Sequence, residues 1–197
     1  MMKQSSVGAC LACVLFLAGC TAEVDDSETA SDSEALANEG TASPDAVKNH
    51  RLTCTGPHFI QSVPTGFFVS TEIGFPGNAA GMLRARATRV GSFERFFLCD
   101  DYHGGKAIKS IVNGAFVSTE IGFGGDYAGM MRARPGQATI GDWERFYLVG
   151  SYIISRASGA FVSAEYGYTG DYAGMLRARA AQAGPWEQWR IGNATWD

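Results

Sequence analysis

A chain that repeats itself three times must fold as three like units packed around one another, and most of this sequence is such a repeat. Gly66-Phe67-Phe68-Val69-Ser70-Thr71-Glu72 returns as Gly114-Ala115-Phe116-Val117-Ser118-Thr119-Glu120 and again as Gly159-Ala160-Phe161-Val162-Ser163-Ala164-Glu165. Farther along, Gly81-Met82-Leu83-Arg84-Ala85-Arg86 matches residues 129–134 and 174–179. Each copy closes on an aromatic beside a glutamate, in Phe93-Glu94-Arg95-Phe96, Trp143-Glu144-Arg145-Phe146 and Trp186-Glu187-Gln188-Trp189. The copies span about 55–101, 102–150 and 151–197. Units of this length cannot bury an apolar face alone and must stack on one another to do so.

Within each unit, apolar and polar residues alternate in short runs punctuated by glycine, which predicts four strands. In the third copy they fall near 152–156, 160–165, 175–180 and 188–192. The first two strands meet at Thr65-Gly66, Asn113-Gly114 or Ser158-Gly159, where glycine supplies the positive φ of a tight hairpin. Alternation turns Ile60, Val69, Leu83, Phe96 and Leu98 inward, with Ile108, Val117, Met131, Phe146 and Leu148 as their second set. The third set is Ile153, Val162, Leu176, Trp189 and Ile191. Three blades are too few for a propeller. The expected fold over 51–197 is therefore all-β, a β-trefoil with three four-stranded repeats: a short barrel capped by three hairpins. Twenty-five glycines in 197 residues, well above the usual ~7%, agree with so many turns.

The motifs Gly-x-Phe-Val-Ser-x-Glu, Leu-Arg-Ala-Arg and Gly-x-Trp-Glu-x-Phe together resemble the fascin-like, actin-crosslinking β-trefoil domain, over about residues 55–196. The resemblance implies the trefoil fold and, as a function, binding and bundling of actin filaments. A lone trefoil offers fewer places to bridge filaments than chains that carry several. The pattern differs from ricin-B-type lectin trefoils, whose repeats end in Gln-x-Trp, because here Gln188-Trp189 directly follow Glu187.

Ahead of the repeats lie two segments of other composition. Residues 1–19 carry Lys3 as their only charge, then an apolar run from Val7 to Ala18, as a secretory signal does. Leu17-Ala18-Gly19-Cys20 resembles the lipobox of bacterial lipoproteins, which implies lipidation of Cys20, and Thr21 after it implies outer-membrane sorting. An ordinary signal with a chance cysteine is the alternative. Residues 20–50 hold eight acidic residues against Lys48 and no aromatic, a composition expected to stay disordered as a tether reaching roughly 30 Å. From Arg51 on there are 14 basic and 12 acidic residues, too even a balance for a nucleic-acid partner. The expectation is a monomeric, secreted lipoprotein of the outer membrane or cell surface, touching the membrane only through its lipid. Cys54 and Cys99 bracket the first unit, and outside the cytoplasm they are expected to form a disulfide, with two free thiols as the alternative.

No HExxH, GxSxG or Walker-type motif occurs, Cys10 and Cys13 fall inside the apolar signal run, and His50, His58 and His103 share no repeated partner, so neither catalysis, metal nor cofactor is expected. Glutamates recur at 72, 120 and 165 and at 94, 144 and 187. A catalytic carboxylate pair has no reason to occur three times, whereas turn-fastening and pairing with arginines do. Arg84 and Arg86, Arg132 and Arg134, and Arg177 and Arg179 alternate onto the outer face of the third strand. There their guanidinium forks would grip an anionic partner, unless the glutamates already occupy them. The loops between strands two and three carry Asp126-Tyr127 and Asp171-Tyr172, with Asn78-Ala79 in copy one. A carboxylate that accepts from hydroxyls beside a ring that packs on a pyranose suits a sugar, although Asp and Gly are also ordinary turn residues. The expected function is a non-catalytic, lectin-like module for polysaccharide or other glycan, with two loop sites adding avidity. Actin or another protein partner is the alternative.

Overall fold

Alternating apolar and polar residues build twelve strands within residues 52–196, the part of the chain that the computed structural model describes. The signal peptide, Cys20 and the acidic tether lie outside the described residues. The first repeat supplies β1 (Thr53–Ser62), β2 (Phe68–Glu72), β3 (Met82–Ala87) and β4 (Phe96–Asp100). The second supplies β5 (Lys106–Ser110), β6 (Val117–Glu120), β7 (Met130–Ala133) and β8 (Arg145–Val149). The third supplies β9 (Tyr152–Ser155), β10 (Phe161–Glu165), β11 (Met175–Ala180) and β12 (Trp189–Asn193), each end within one residue of its expected place.

The outer strands of each repeat form an antiparallel barrel through the pairs β1–β4, β4–β5, β5–β8, β8–β9 and β1–β12. A bridge between Tyr152 and Gln188 closes the ring. The inner strands form the hairpins β2–β3, β6–β7 and β10–β11. Their third strands meet around a pseudo-threefold axis, with Met82 opposite Arg132, Met130 opposite Arg177 and Met175 opposite Arg84. A six-stranded barrel capped by three hairpins is a β-trefoil.

The residues expected inside are inside. Ile60, Val69, Phe96, Val117, Phe146, Ile153, Val162 and Trp189 share one core, with Leu98, Leu148 and Ile191 packed against it. Burying an aliphatic or aromatic side chain of this kind stabilises by about 1.5–3 kcal/mol. Where repeats abut, glycine is obligatory. A Cβ on Gly129 would stand 2.6 Å from the Ala178 carbonyl oxygen, and φ there is +74°. The contact is a hydrogen bond from the Ala178 N–H to the Gly129 carbonyl at 2.8 Å, repeated from Ala133 to Gly81 and from Ala85 to Gly174.

The repeated glutamates are consumed by the fold. Glu94, Glu144 and Glu187 end 3-10 turns at Ser92–Glu94, Asp142–Glu144 and Pro185–Glu187. Each accepts from the backbone N–H at the start of its turn, Gly91 and Gly141 at 2.8 Å and Gly184 at 2.7 Å. Ser70 donates to Glu94 at 2.6 Å, and Ser163 donates to Glu187. A disulfide joins Cys54 of β1 to Cys99 of β4 at directly paired positions.

Candidate binding site

Between the second and third strand of each repeat the chain makes another 3-10 turn, at Gly77–Ala79, Gly125–Tyr127 and Gly170–Tyr172. The three turns surround the pseudo-threefold axis. Beneath them lie Met82, Met130 and Met175, fully buried, with Phe75, Phe123, Tyr168 and Tyr172 packed against them. This methionine cluster was not singled out in the sequence, although the repeated Gly-Met pair at 81, 129 and 174 signals it.

The six arginines divide into two groups, covered and outer. Arg84, Arg132 and Arg177 do lie on the outer face of their strands, but neighbouring turns cover them and leave 9%, 6% and 7% exposed. Arg84 donates to the carbonyls of Ala173 (3.0 Å) and Gly170 (3.3 Å) in the third repeat. Arg177 donates to those of Ala128 (2.8 Å) and Gly125 (3.2 Å) in the second. Arg132 donates to the carbonyl of Asn78 (2.9 Å) in the first. Each arginine thus fastens the turn of a neighbouring repeat, and the relay closes on itself. Arg84 and Arg132 are also roofed by Phe75 and Phe123, with 5.9 and 5.2 Å to the ring centres. Arg177 instead donates to the Tyr168 hydroxyl at 2.6 Å. Burial pushes the Arg84 guanidinium below its ordinary value, against the pull of Glu72.

The outer three arginines are half-exposed or paired. Arg86 and Arg179 form two-pronged ion pairs with Glu72 and Glu165, which raise both guanidinia above their ordinary value. In the second repeat the glutamate partner changes: Glu120 binds the buried Arg132 at 2.7 Å, and Arg134 donates to Gln137. A ready-made anion clamp is therefore absent from Arg84, Arg132 and Arg177.

The loop residues of the second and third repeats converge. The rings of Tyr127 and Tyr172 meet edge to face, 5.4 Å between centres at 70°. A hydrogen bond with the neighbouring Tyr172 holds the Tyr127 phenol above its ordinary value. The pair forms a shared wall between two clefts. One, about 440 Å³, is lined by Pro76, Asn78, Ala79, Phe123, Tyr127 and Tyr172. The other, about 280 Å³, is lined by Asp126, Tyr127, Tyr168, Thr169, Tyr172 and Met175. Asp126 accepts from the Tyr168 hydroxyl at 3.3 Å, and Asp171 is exposed. The structure thus gathers Asn78, Tyr127 and Tyr172 in one cleft and Asp126, Tyr127 and Tyr172 in the adjoining one.

A further cleft of about 480 Å³ lies on the flank of the third repeat, between Glu165, Tyr166, Arg179, Trp186 and Glu187. Tyr166 and Trp186 stand 5.4 Å apart at 52°, and Trp186 is 48% exposed. Its carboxylates are already occupied, Glu165 by Arg179 and Glu187 by Ser163 and the Gly184 N–H. Phe93 and Trp143 hold the same exposed position in the other repeats. That ring was visible in the sequence as the aromatic before each capping glutamate, but its exposure was not. Among the described residues no group of three or more His, Cys, Asp or Glu side chains is placed to hold a metal ion.

No protein-family model matches the chain, and no curated protein does. Solved structures resemble it in shape. A designed threefold-symmetric protein, ThreeFoil, superposes with a TM-score of 0.59 at 19% identity, covering 71% of this chain and 100% of that one. An exo-β-1,3-galactanase from Clostridium thermocellum gives 0.56 at 19% identity, over 71% of this chain but 30% of the enzyme. A ricin B-like lectin from Macrolepiota procera, solved in complex with lactose, gives 0.52 at 12% identity over 75% of this chain and 99% of the lectin. At such identities the likeness establishes the β-trefoil fold, and it does not reach to the fascin family.

Proposed function

We propose that this domain is a non-catalytic, lectin-like carbohydrate-binding module whose site is the hairpin end where Tyr127 and Tyr172 meet. The observation that carries the reading is that paired ring, flanked by Asn78 on one side and Asp126 on the other. Concave, mostly apolar sites with a few placed polar groups are the usual form of small-ligand sites. The lactose complex of the Macrolepiota lectin is consistent with a glycan on this kind of scaffold. A fascin-like ancestry remains part of the proposal, but the motifs that suggest it are those that build the fold. Val69 is core, Ser70 and Glu94 staple a turn, and Glu72 pairs with Arg86. They speak for architecture more than for an actin partner. Lipidation of Cys20 and the acidic tether would display the module from an outer membrane.

A glycan and polysaccharide array, probed with the full-length chain, tests the reading. Binding that Tyr127→Ala or Tyr172→Ala each weakens at least tenfold, with the thermal midpoint nearly unchanged, is the expected result. Binding lost only in Trp186→Ala would move the site to the flank. A blank array, with the chain instead sedimenting with actin filaments, would replace the glycan by a protein partner.

A further inference from the structure

The three inner turns share a backbone but not a side chain. Ala79, Tyr127 and Tyr172 occupy the same last position of equivalent 3-10 turns. Between the two turns that both carry tyrosine the cleft is about 280 Å³; where the turn carries Ala79 it is about 440 Å³. The first repeat thus lacks the ring that would complete a threefold aromatic plug, and the larger cleft lies where that ring would be. Residues of all three repeats line it: Asn78 and Ala79, then Phe123 and Tyr127, then Tyr172. A volume of this size lies within the roughly 300–1,000 Å³ of small-molecule sites.

The lining also has a polarity. Arg132 holds the Asn78 carbonyl at 2.9 Å, which fixes the turn, while among the described residues the Asn78 carboxamide has no hydrogen-bond partner and offers both a donor and an acceptor. The two equivalents of Asn78 are the exposed carboxylates Asp126 and Asp171. The arginines nearest them are covered and committed to backbone carbonyls. The residues that line the larger cleft are all uncharged, and Asp126 lines the adjoining cleft across the tyrosine wall, so an acidic ligand would meet a nearby carboxylate and no lining cation to offset it.

We propose that this gap is a single composite subsite, one per domain, that seats an uncharged hexopyranose against Tyr127 and Tyr172 and rejects uronate and sulfated sugars. The inference rests on the glycan-binding reading above and narrows its hairpin-end site to the larger of the two clefts. The diagnostic variant is Ala79→Tyr. It installs the residue that the other two turns already carry on the same backbone, so the fold should tolerate it, and it fills the gap.

Full-length wild type and Ala79→Tyr, Tyr127→Ala and Asn78→Ala variants are to be titrated with neutral polymers (galactan, mannan, β-glucan) and acidic ones (polygalacturonate, heparin). Expected is one neutral ligand chain per domain, no acidic ligand, and at least tenfold weaker binding in Ala79→Tyr with a thermal midpoint within a few degrees of wild type. Asn78→Ala, which leaves the backbone carbonyl in place, should weaken binding as well. Binding that survives Ala79→Tyr but not Tyr127→Ala overturns the gap while leaving the tyrosine site standing. Preference for an acidic polymer, or two sites per domain, overturns the charge or the single-seat claim. Wild type that binds none of the polymers overturns the glycan reading itself.

Discussion

Tyr127 and Tyr172 show how much one residue's meaning depends on its partner. Each would be an ordinary turn tyrosine alone; together they are a wall between two clefts. An aromatic pair of this kind adds about 0.5–1.5 kcal/mol beyond area burial, which is why either truncation should affect binding much more than stability. Asp101 makes a different point. Its carboxylate accepts from Arg145 Nε at 2.9 Å and from the His103 N–H at 3.2 Å, tying the turn after β4 to β8. Burial works against ionisation there, but those donors outweigh it and hold the carboxyl below its ordinary value. A group with a depressed folded pKa stabilises above its unfolded value and loses that contribution as pH falls through the folded one. Asp101→Asn should therefore lower the thermal midpoint at neutral pH. The gap from wild type should close as pH drops below about 4, the ordinary aspartate range. A gap that stays constant down to strongly acidic pH would show that Asp101 does not contribute through its charge.

At the scale of elements, the strands were legible and the turns were not. Period-two alternation fixes which side of a strand is apolar, and β9 to β12 follow it within a residue at each end. The same alternation puts Arg84, Arg132 and Arg177 on the face opposite Leu83, Met131 and Leu176. It could not show that a turn from another repeat lies over each of them, because that depends on how three hairpins close around an axis. The assembly of Asn78, Tyr127 and Tyr172 was hidden for the same reason: the residue types were readable, their meeting was tertiary. The arginine relay also sets an energetic expectation. Arg132 and Glu120 form a buried pair, 6% and 4% exposed. Removing one partner of such a pair typically costs about 3–5 kcal/mol, because the other charge is left buried alone. Arg132→Met should show that loss in chemical denaturation, and adding Glu120→Gln should recover part of it. If the double variant is no more stable than the single one, the cost lies in the released Asn78 turn.

For the whole molecule, the Cys54–Cys99 disulfide spans 45 residues and encloses nearly all of the first repeat. On the chain-entropy model a loop of that length is worth about 4 kcal/mol. Replacing both cysteines by serine should lower the thermal midpoint by on the order of 10 °C, without altering glycan binding, since the bond joins barrel strands and the site lies on the hairpins. An unchanged midpoint would mean that the barrel contacts already restrict the unfolded chain. The pairing was foreseeable from two cysteines that bracket one unit, whereas its register, Cys54 directly opposite Cys99, came only with the barrel.

The arginine relay bears on how such a chain comes into being. The first repeat leans on the third, the third on the second, and the second on the first. Each turn closes on its own backbone, but the arginine that fastens it always comes from another repeat. As the chain leaves the ribosome, neither the first unit nor the first two have what they need, and a guanidinium or a loop carbonyl waits unmatched until the last hairpin arrives. The third repeat is thus the one that locks the first two, and a product cut short before it forfeits more than its own share of the structure.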